Sequence, residues 1–306
     1  MVMMRLVLAL VLSLTAAVGA VGPRYVREVE AWQRERAQRL TADGGWLTVA
    51  GLFWLQPGAN RFGADAAGAI VLPAHSSPPQ AGSFVLEGGR VSVEVRPGAS
   101  VTLAGKPVTR MQLRSDRDGA PPDVLAMGAL TLQIIDRGGR LGVRVKDMKN
   151  PARAAFKGLH YFPIDPRYRV VATFVPHEKP VALNVPTVLG TMERMPSPGY
   201  VSFDLPAARA PDGAPAGSPL RLDAVLEPGE TELFFIFRDA TSGKSTYGAG
   251  RFLYAAPPVA GGVVLDFNKA YSPPCAFTPH ATCPLPPPNN RLAVAIEAGE
   301  MFAGHH

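Results

Sequence analysis

Apolar runs paired across glycine-bearing turns constrain this chain more than any other feature. Residues 83–86 lead through Glu87-Gly88-Gly89-Arg90 into residues 91–95, with the two-residue alternation of half-buried strands. Residues 130–135 pass through Asp136-Arg137-Gly138-Gly139 into residues 140–146 in the same way. A tighter turn, Ala104-Gly105-Lys106-Pro107, separates residues 101–103 from Val108. Further strands are expected at 168–175, 181–185, 200–204, 220–226, 233–237, 250–254 and 263–267. The chain holds 31 Gly and 31 Pro in 306 residues, and both residue types weaken a helix interior. With 47% hydrophobic residues it is nonetheless globular, which excludes a coiled coil, a collagen or a disordered tail. No βαβ alternation and no fixed-period repeat is visible. The expected fold is mainly β, an antiparallel sandwich or partly closed barrel with one N-terminal helix.

That helix is expected over residues 24–40, where Tyr25, Val29, Trp32 and Leu40 fall near helical spacing between charged residues. Asp43-Gly44-Gly45 ends it. The three tryptophans, Trp32, Trp46 and Trp54, all lie near this end of the chain and are expected to plug a core. We expect an N-terminal β region over 44–135 and a C-terminal β region over 136–300, together one continuous domain. Residues 206–219, rich in Pro, Ala and Gly, are expected to form a passive loop between two strands.

Residues 1–20 read as a secretory signal: Arg5, an apolar run over 6–12, then Val18-Gly19-Ala20 with cleavage after Ala20. The mature protein is therefore expected to be periplasmic or secreted, with no stable membrane anchor. Net charge is +6, but the basic residues are dispersed (Arg140, Arg144, Lys146, Arg153, Lys157, Arg167, Arg169). No basic helix or aromatic-interleaved basic stripe is present, so nucleic acid is not an expected partner. A small anionic molecule is the better candidate. The two cysteines, Cys275 and Cys283, are expected to form a disulfide outside the cytoplasm. Closing so short a loop stabilises by roughly 2–3 kcal/mol in the chain-entropy view.

Familiar catalytic motifs are missing. Gly243-Lys244-Ser245 resembles the end of a phosphate-cradling loop, but Arg238 stands at the required glycine and a strand follows, so a hairpin turn is expected. Asp116-Arg117-Asp118-Gly119 lacks the later ligands of a calcium loop and reads as a turn. There is no Gly-x-Ser-x-Gly elbow and no Ser-x-x-Lys pair. His75, His160, His177, His280, His305 and His306 show no metal-binding spacing. Neither a metal nor a cofactor is expected.

Polar clusters embedded in apolar strands carry more information. Arg144 and Lys146 share a strand face, and Asp147 follows. Residues 238–242 end the most apolar run, and residues 246–251 begin the next, which brings Asp239 towards Thr246 or Tyr247. Asp266 and Asn268 fall on one face near a strand end. Ionised groups near a core must be paired or serve a site. In the pocket reading Arg144, Lys146 and Arg251 meet an anion, while Tyr247, Asp266 and Asn268 orient it. Asp147 or Asp239 is then the candidate general base if chemistry occurs. In the other reading, an envelope structural or interaction protein, these residues only pair with one another, as Arg251 would with Asp266.

Several of these segments resemble a known family. They are Arg144-Val145-Lys146-Asp147, Phe156-Lys157-Gly158-Leu159-His160-Tyr161-Phe162-Pro163, Arg238-Asp239-Ala240-Thr241-Ser242-Gly243 and Thr246-Tyr247-Gly248-Ala249-Gly250-Arg251. Most specific is Leu265-Asp266-Phe267-Asn268-Lys269-Ala270-Tyr271, running on through Cys275 and Cys283 to Asn290-Arg291-Leu292. Over residues 32–300 the chain is similar to the bacterial exported proteins called domain of unknown function 1684. It departs from that pattern at Ser272 and His280, where Asn and Tyr are expected. The resemblance implies export and implies no activity.

Overall fold

The computed structural model describes residues 22–117, 121–210, 213, 219–302 and 304. The signal-like residues 1–20, Asp118 and Gly119, half of the 206–219 loop, and His305 and His306 lie outside these. The N-terminal helix spans Pro23–Thr41. Pro23 suits its first turn because the missing N–H has no helical partner to lose there. It buries Val29, Arg36 and Leu40 along one stripe. A charged residue thus occupies a core position of the helix.

The glycine-turn hairpins form as expected. Leu130–Arg137 pairs antiparallel with Arg140–Asp147, from Leu130 opposite Asp147 to Arg137 opposite Arg140. Gly138 and Gly139 both have positive φ, 65° and 84°. That combination matches the twist of two-residue hairpins and is strained for residues with a Cβ. These two strands lie in a six-stranded sheet with Val49–Trp54, Val124–Met127, Thr102–Leu103 and Lys106–Pro107. A five-stranded sheet built from Ile70–Val71, Gly58–Gly63, Gly82–Glu87, Arg90–Val95 and Arg110–Leu113 shares a core with it, including Phe62, Phe84, Leu132 and Val143. The hairpin across residue 135 lies wholly within this first β region.

The second β region holds a four-stranded sheet, Leu220–Ala224, Met192–Phe203, Arg169–Pro186 and Gly262–Asp266, and a two-stranded one, Leu233–Phe237 with Arg251–Ala255. Every residue of Leu233–Phe237 is buried, because its two faces serve different clusters. Leu233, Phe235 and Phe237 join Val201, Leu253 and Phe267. Phe234 and Ile236 join Val185, Met195, Phe252 and Cys283, with Trp46 packed against them. Trp46 therefore ties the start of the first region to the second. The whole is mainly β, with one N-terminal helix, several antiparallel sheets and a half-barrel sheet.

One departure from expectation is local. Arg169–Pro186 is a single long strand, and its partner Met192–Phe203 begins before residue 200 despite Pro196 and Pro198. The register shifts between Pro176 and Val181, and Pro198 falls in that irregular stretch, where no ladder N–H is required of it.

Two expected results follow from the fold. Gly299 has φ of 78°, and a Cβ there would sit 2.4 Å from the Ala270 carbonyl oxygen. Gly299→Ala is therefore expected to destabilise by about 2–4 kcal/mol, read from the urea midpoint. The Asp123 carboxyl, hydrogen-bonded by Arg114, is held below the usual carboxylate range. A depressed folded-state pKa contributes stability that is present above the unfolded value of about 4 and lost as pH falls. The urea midpoint should drop between about pH 5 and pH 3, and Asp123→Asn should flatten that drop.

Candidate functional site

Among the described residues, Arg36, Arg144 and Arg251 are buried, and their partners differ sharply. Arg251 is 1% exposed. Its Nη2 donates to Asp239 Oδ2 at 2.5 Å and to the Ile296 carbonyl at 2.9 Å, and Nη1 donates to the Ala298 carbonyl. Asp239 Oδ1 accepts from the Thr241 N–H at 2.7 Å and from the Thr241 hydroxyl. The Thr241 Oγ1 lies 2.8 Å from Thr246 Oγ1. Asp239 does approach Thr246, through Thr241, and it is Asp239 that pairs with Arg251. Of the Arg251 side-chain nitrogens only Nε is left without a hydrogen-bond partner, against two such nitrogens on Arg144.

Asp266 and Asn268 form a second group, in which Asp266 Oδ2 has no hydrogen-bond partner and lies 3.9 Å from Arg169 Nε. Asp266 Oδ1 accepts from the Tyr25 hydroxyl at 2.8 Å, and Asn268 Nδ2 donates to Tyr25 Oη at 3.0 Å and to the Asp165 carbonyl at 2.8 Å. Burial, then the Asp266 charge, pushes the Tyr25 hydroxyl pKa up, so it stays a donor. This group fastens the helix to the second β region. Arg36 fastens it again: Nη2 donates to the Ser272 carbonyl at 2.8 Å, Nε lies 3.4 Å from Glu300 Oε2, and the guanidinium sits 4.6 Å from the Tyr271 ring centroid. Sequence reasoning missed Arg36, although its place four residues after Trp32 and four before Leu40 marks the apolar stripe.

Arg144 behaves otherwise. Val143 and Val145 enter the core of the first region, so Arg144 and Lys146 emerge on the opposite sheet face. Lys146 spends its charge on the Gly44 carbonyl, 2.6 Å away, and burial lowers its pKa. Asp147 caps the next turn by accepting from the Lys149 N–H at 2.8 Å. Arg144 is 5% exposed, and its Nε and Nη2 have no hydrogen-bond partner. The guanidinium lies 5.2 Å from the Trp46 ring centroid. Burial first, then repulsion from Arg137, pulls its pKa down to about 10, while Asp116, Cys283 and Cys275 act in the opposite sense.

Beside it runs a cleft of about 860 Å³ whose walls come from both β regions, among them Trp46, Arg137, Arg194, Glu227, Phe252 and Cys283. Arg137 crosses this junction: Nε donates to Thr282 Oγ1 at 2.9 Å, and Nη2 lies 2.8 Å from Asp116 Oδ2. Glu227 accepts from the Tyr254 hydroxyl. Tyr247 lies near the same loop, donating from its hydroxyl to the Cys275 carbonyl at 3.1 Å. The structure therefore gathers Arg144, Tyr247 and the cysteines into one neighbourhood. Arg251 with Asp239, and Asp266 with Asn268, keep to their own groups.

The cysteines require a correction. Cys275 and Cys283 are free thiols here and not the expected disulfide. The Cys275 N–H donates to Cys283 Sγ at 3.2 Å, and the two sulfurs are not at bonding distance. Among the described residues no group of three metal-ligating side chains occurs, and no helix is long and apolar enough to cross a membrane.

Residues 154–301 match the family model described as "Protein of unknown function (DUF1684)". The matched segment holds Asp239, Arg251, Asp266, Asn268 and both cysteines, but starts after the Arg144–Asp147 run. An uncharacterized protein of Haloarcula marismortui, solved in solution by NMR, is 35% identical, covering 50% of this chain and 81% of that one at a TM-score of 0.40. Two FHA-domain structures, one from work on phosphothreonine-dependent interactions, are each 18% identical and cover 31% of this chain at a TM-score of 0.22, a likeness that assigns nothing. They are covered to 92% and 97% of their own length. No curated protein matches the chain.

Proposed function

We propose, for a chain that belongs through residues 154–301 to this family of unknown function, that it is an exported β-rich protein binding a small anionic molecule in the cleft beside Arg144. One observation carries the reading: Nε and Nη2 of Arg144 are buried without partners. Those two N–H groups lie side by side on the guanidinium and make the fork that meets a carboxylate or phosphate in two parallel bonds. A buried charge without a partner costs several kcal/mol, and such a cost is retained where a ligand offsets it. Trp46 and Cys283, its neighbours, line the cleft, so the ligand reaches the fork by shifting the Trp46 indole. Arg137 stands at the same junction, its charge paired with Asp116. Export rests on the leader-like residues 1–20.

A second reading fits the other clusters. Arg251 with Asp239, and Asp266 with Asn268 and Tyr25, make most of their hydrogen bonds to one another, with Arg251 Nε and Asp266 Oδ2 left over, which supports a structural role for them. On this account they serve neither as ligand contacts nor, in the case of Asp239, as a general base.

The test is a fluorescence titration of the full chain with inorganic phosphate and with citrate, read on tryptophan. Saturable quenching that weakens with added salt is expected. The absence of a saturable change well into the millimolar range, with both anions, would count against the reading.

A further inference from the structure

The thiols have a function of their own to offer. We infer that Cys275 and Cys283 form a thiol–disulfide exchange site beside the cleft, taking a low-molecular-weight disulfide as oxidant. This goes beyond anion binding and shares only Arg144 with it.

Both cysteines are held by their backbone. The Cys275 carbonyl accepts from the Tyr247 hydroxyl at 3.1 Å, and the Cys283 carbonyl accepts from the Val188 N–H at 3.0 Å. Prolines adjoin both residues, Pro274 before Cys275 and Pro284 after Cys283, and fix φ there. The Cys275 N–H, donating to Cys283 Sγ at 3.2 Å, holds the second sulfur against the backbone of the first cysteine. Forming the internal bond requires the sulfurs to move to the roughly 2.05 Å of an S–S bond. The unpartnered Arg144 guanidinium stands near both and favours a thiolate there.

The two sulfurs are not equivalent. Cys275 is half-buried, whereas Cys283 is nearly enclosed. The hydrogen bond from the Cys283 thiol, together with the Arg144 charge, lowers the Cys275 pKa, and the same contact with burial raises that of Cys283. Cys275 is accordingly the attacking group and Cys283 the resolving one. The Cys275 thiolate attacks one sulfur of the oxidant RSSR, forming a mixed disulfide and releasing RS⁻. Cys283 then loses its proton to solvent and attacks Cys275 Sγ, forming the internal bond and expelling the second RS⁻. The protein loses two electrons and two protons, and RSSR becomes two RSH.

The test uses the reduced full chain incubated anaerobically with excess oxidised glutathione, then alkylated and weighed intact. Wild type should end with no alkylated cysteine and no bound glutathione. Cys283→Ser should stop with one glutathione on Cys275, and Cys275→Ser should react about tenfold more slowly or worse. Arg144→Met should slow the wild-type reaction several-fold and move its pH–rate midpoint upward. Wild type alone decides if a variant fails to fold. Two free, alkylatable thiols after incubation would overturn the inference, as would glutathione retained on wild type without an internal bond. An unchanged rate and midpoint in Arg144→Met would overturn the part given to Arg144. Exchange without anion binding leaves this site standing and removes the binding reading, and anion binding without exchange does the reverse.

Discussion

Arg251→Ala should unfold the protein or destabilise it by about 3–5 kcal/mol, the cost of breaking a buried ion pair by removing one partner. The side chain is almost wholly buried, and its loss strands three acceptors: Asp239 Oδ2 and the carbonyls of Ile296 and Ala298. Asp239 would be left enclosed without its cation, with only Thr241 donating to it. Asp239→Ala should cost a similar amount for the mirrored reason. The double variant Arg251→Met/Asp239→Leu should recover part of the loss, because neither charge is then left alone. Urea denaturation of the three variants measures this. Single variants within about 1 kcal/mol of wild type would show that the pair does not hold the fold.

The opposite sign is expected at Arg144, which is nearly as buried. Arg144→Met removes a dehydrated charge whose Nε and Nη2 have no partners, and keeps a flexible apolar chain against Trp46. Stability should hold or rise by about 1–3 kcal/mol, with a melting temperature shift of roughly 2–4 °C per kcal/mol. Binding should be lost. Substituting two buried arginines thus separates a residue that serves the fold from one that serves a ligand. The difference lies wholly in what surrounds each guanidinium.

Those surroundings explain how much the sequence revealed. Hairpins were legible wherever two glycines sat between alternating runs, since the turn at Gly138-Gly139 is a local demand on φ. The early start of Met192–Phe203 was not, because Pro196 and Pro198 read as breakers, and the irregularity opposite Pro198 makes room for that one. Strand alternation placed Arg144 off the core face of its sheet. It says nothing of Trp46 or Cys283, which come from distant parts of the chain to stand beside it. For the same reason the sequence set Arg144 and Arg251 in one pocket, whereas Arg251 finds Asp239 only 12 positions away and closes with it. Arg36 was hidden by its type: a charged residue on an apolar stripe looks like a surface residue until Tyr271 and Glu300 fold over it. The cysteine pair was recognised as a pair, but spacing alone does not fix whether its sulfurs are bonded or only touching.

The central claim is that Arg144 is kept buried and unpaired for an anion. Calorimetric titration of inorganic phosphate and of citrate into wild type and Arg144→Met, both confirmed folded by their melting curves, tests it most directly. The account predicts saturable heat with at least one anion in wild type and none in the variant, which melts at or above the wild-type temperature. Equal binding by both proteins, or a variant that melts well below wild type, would contradict it.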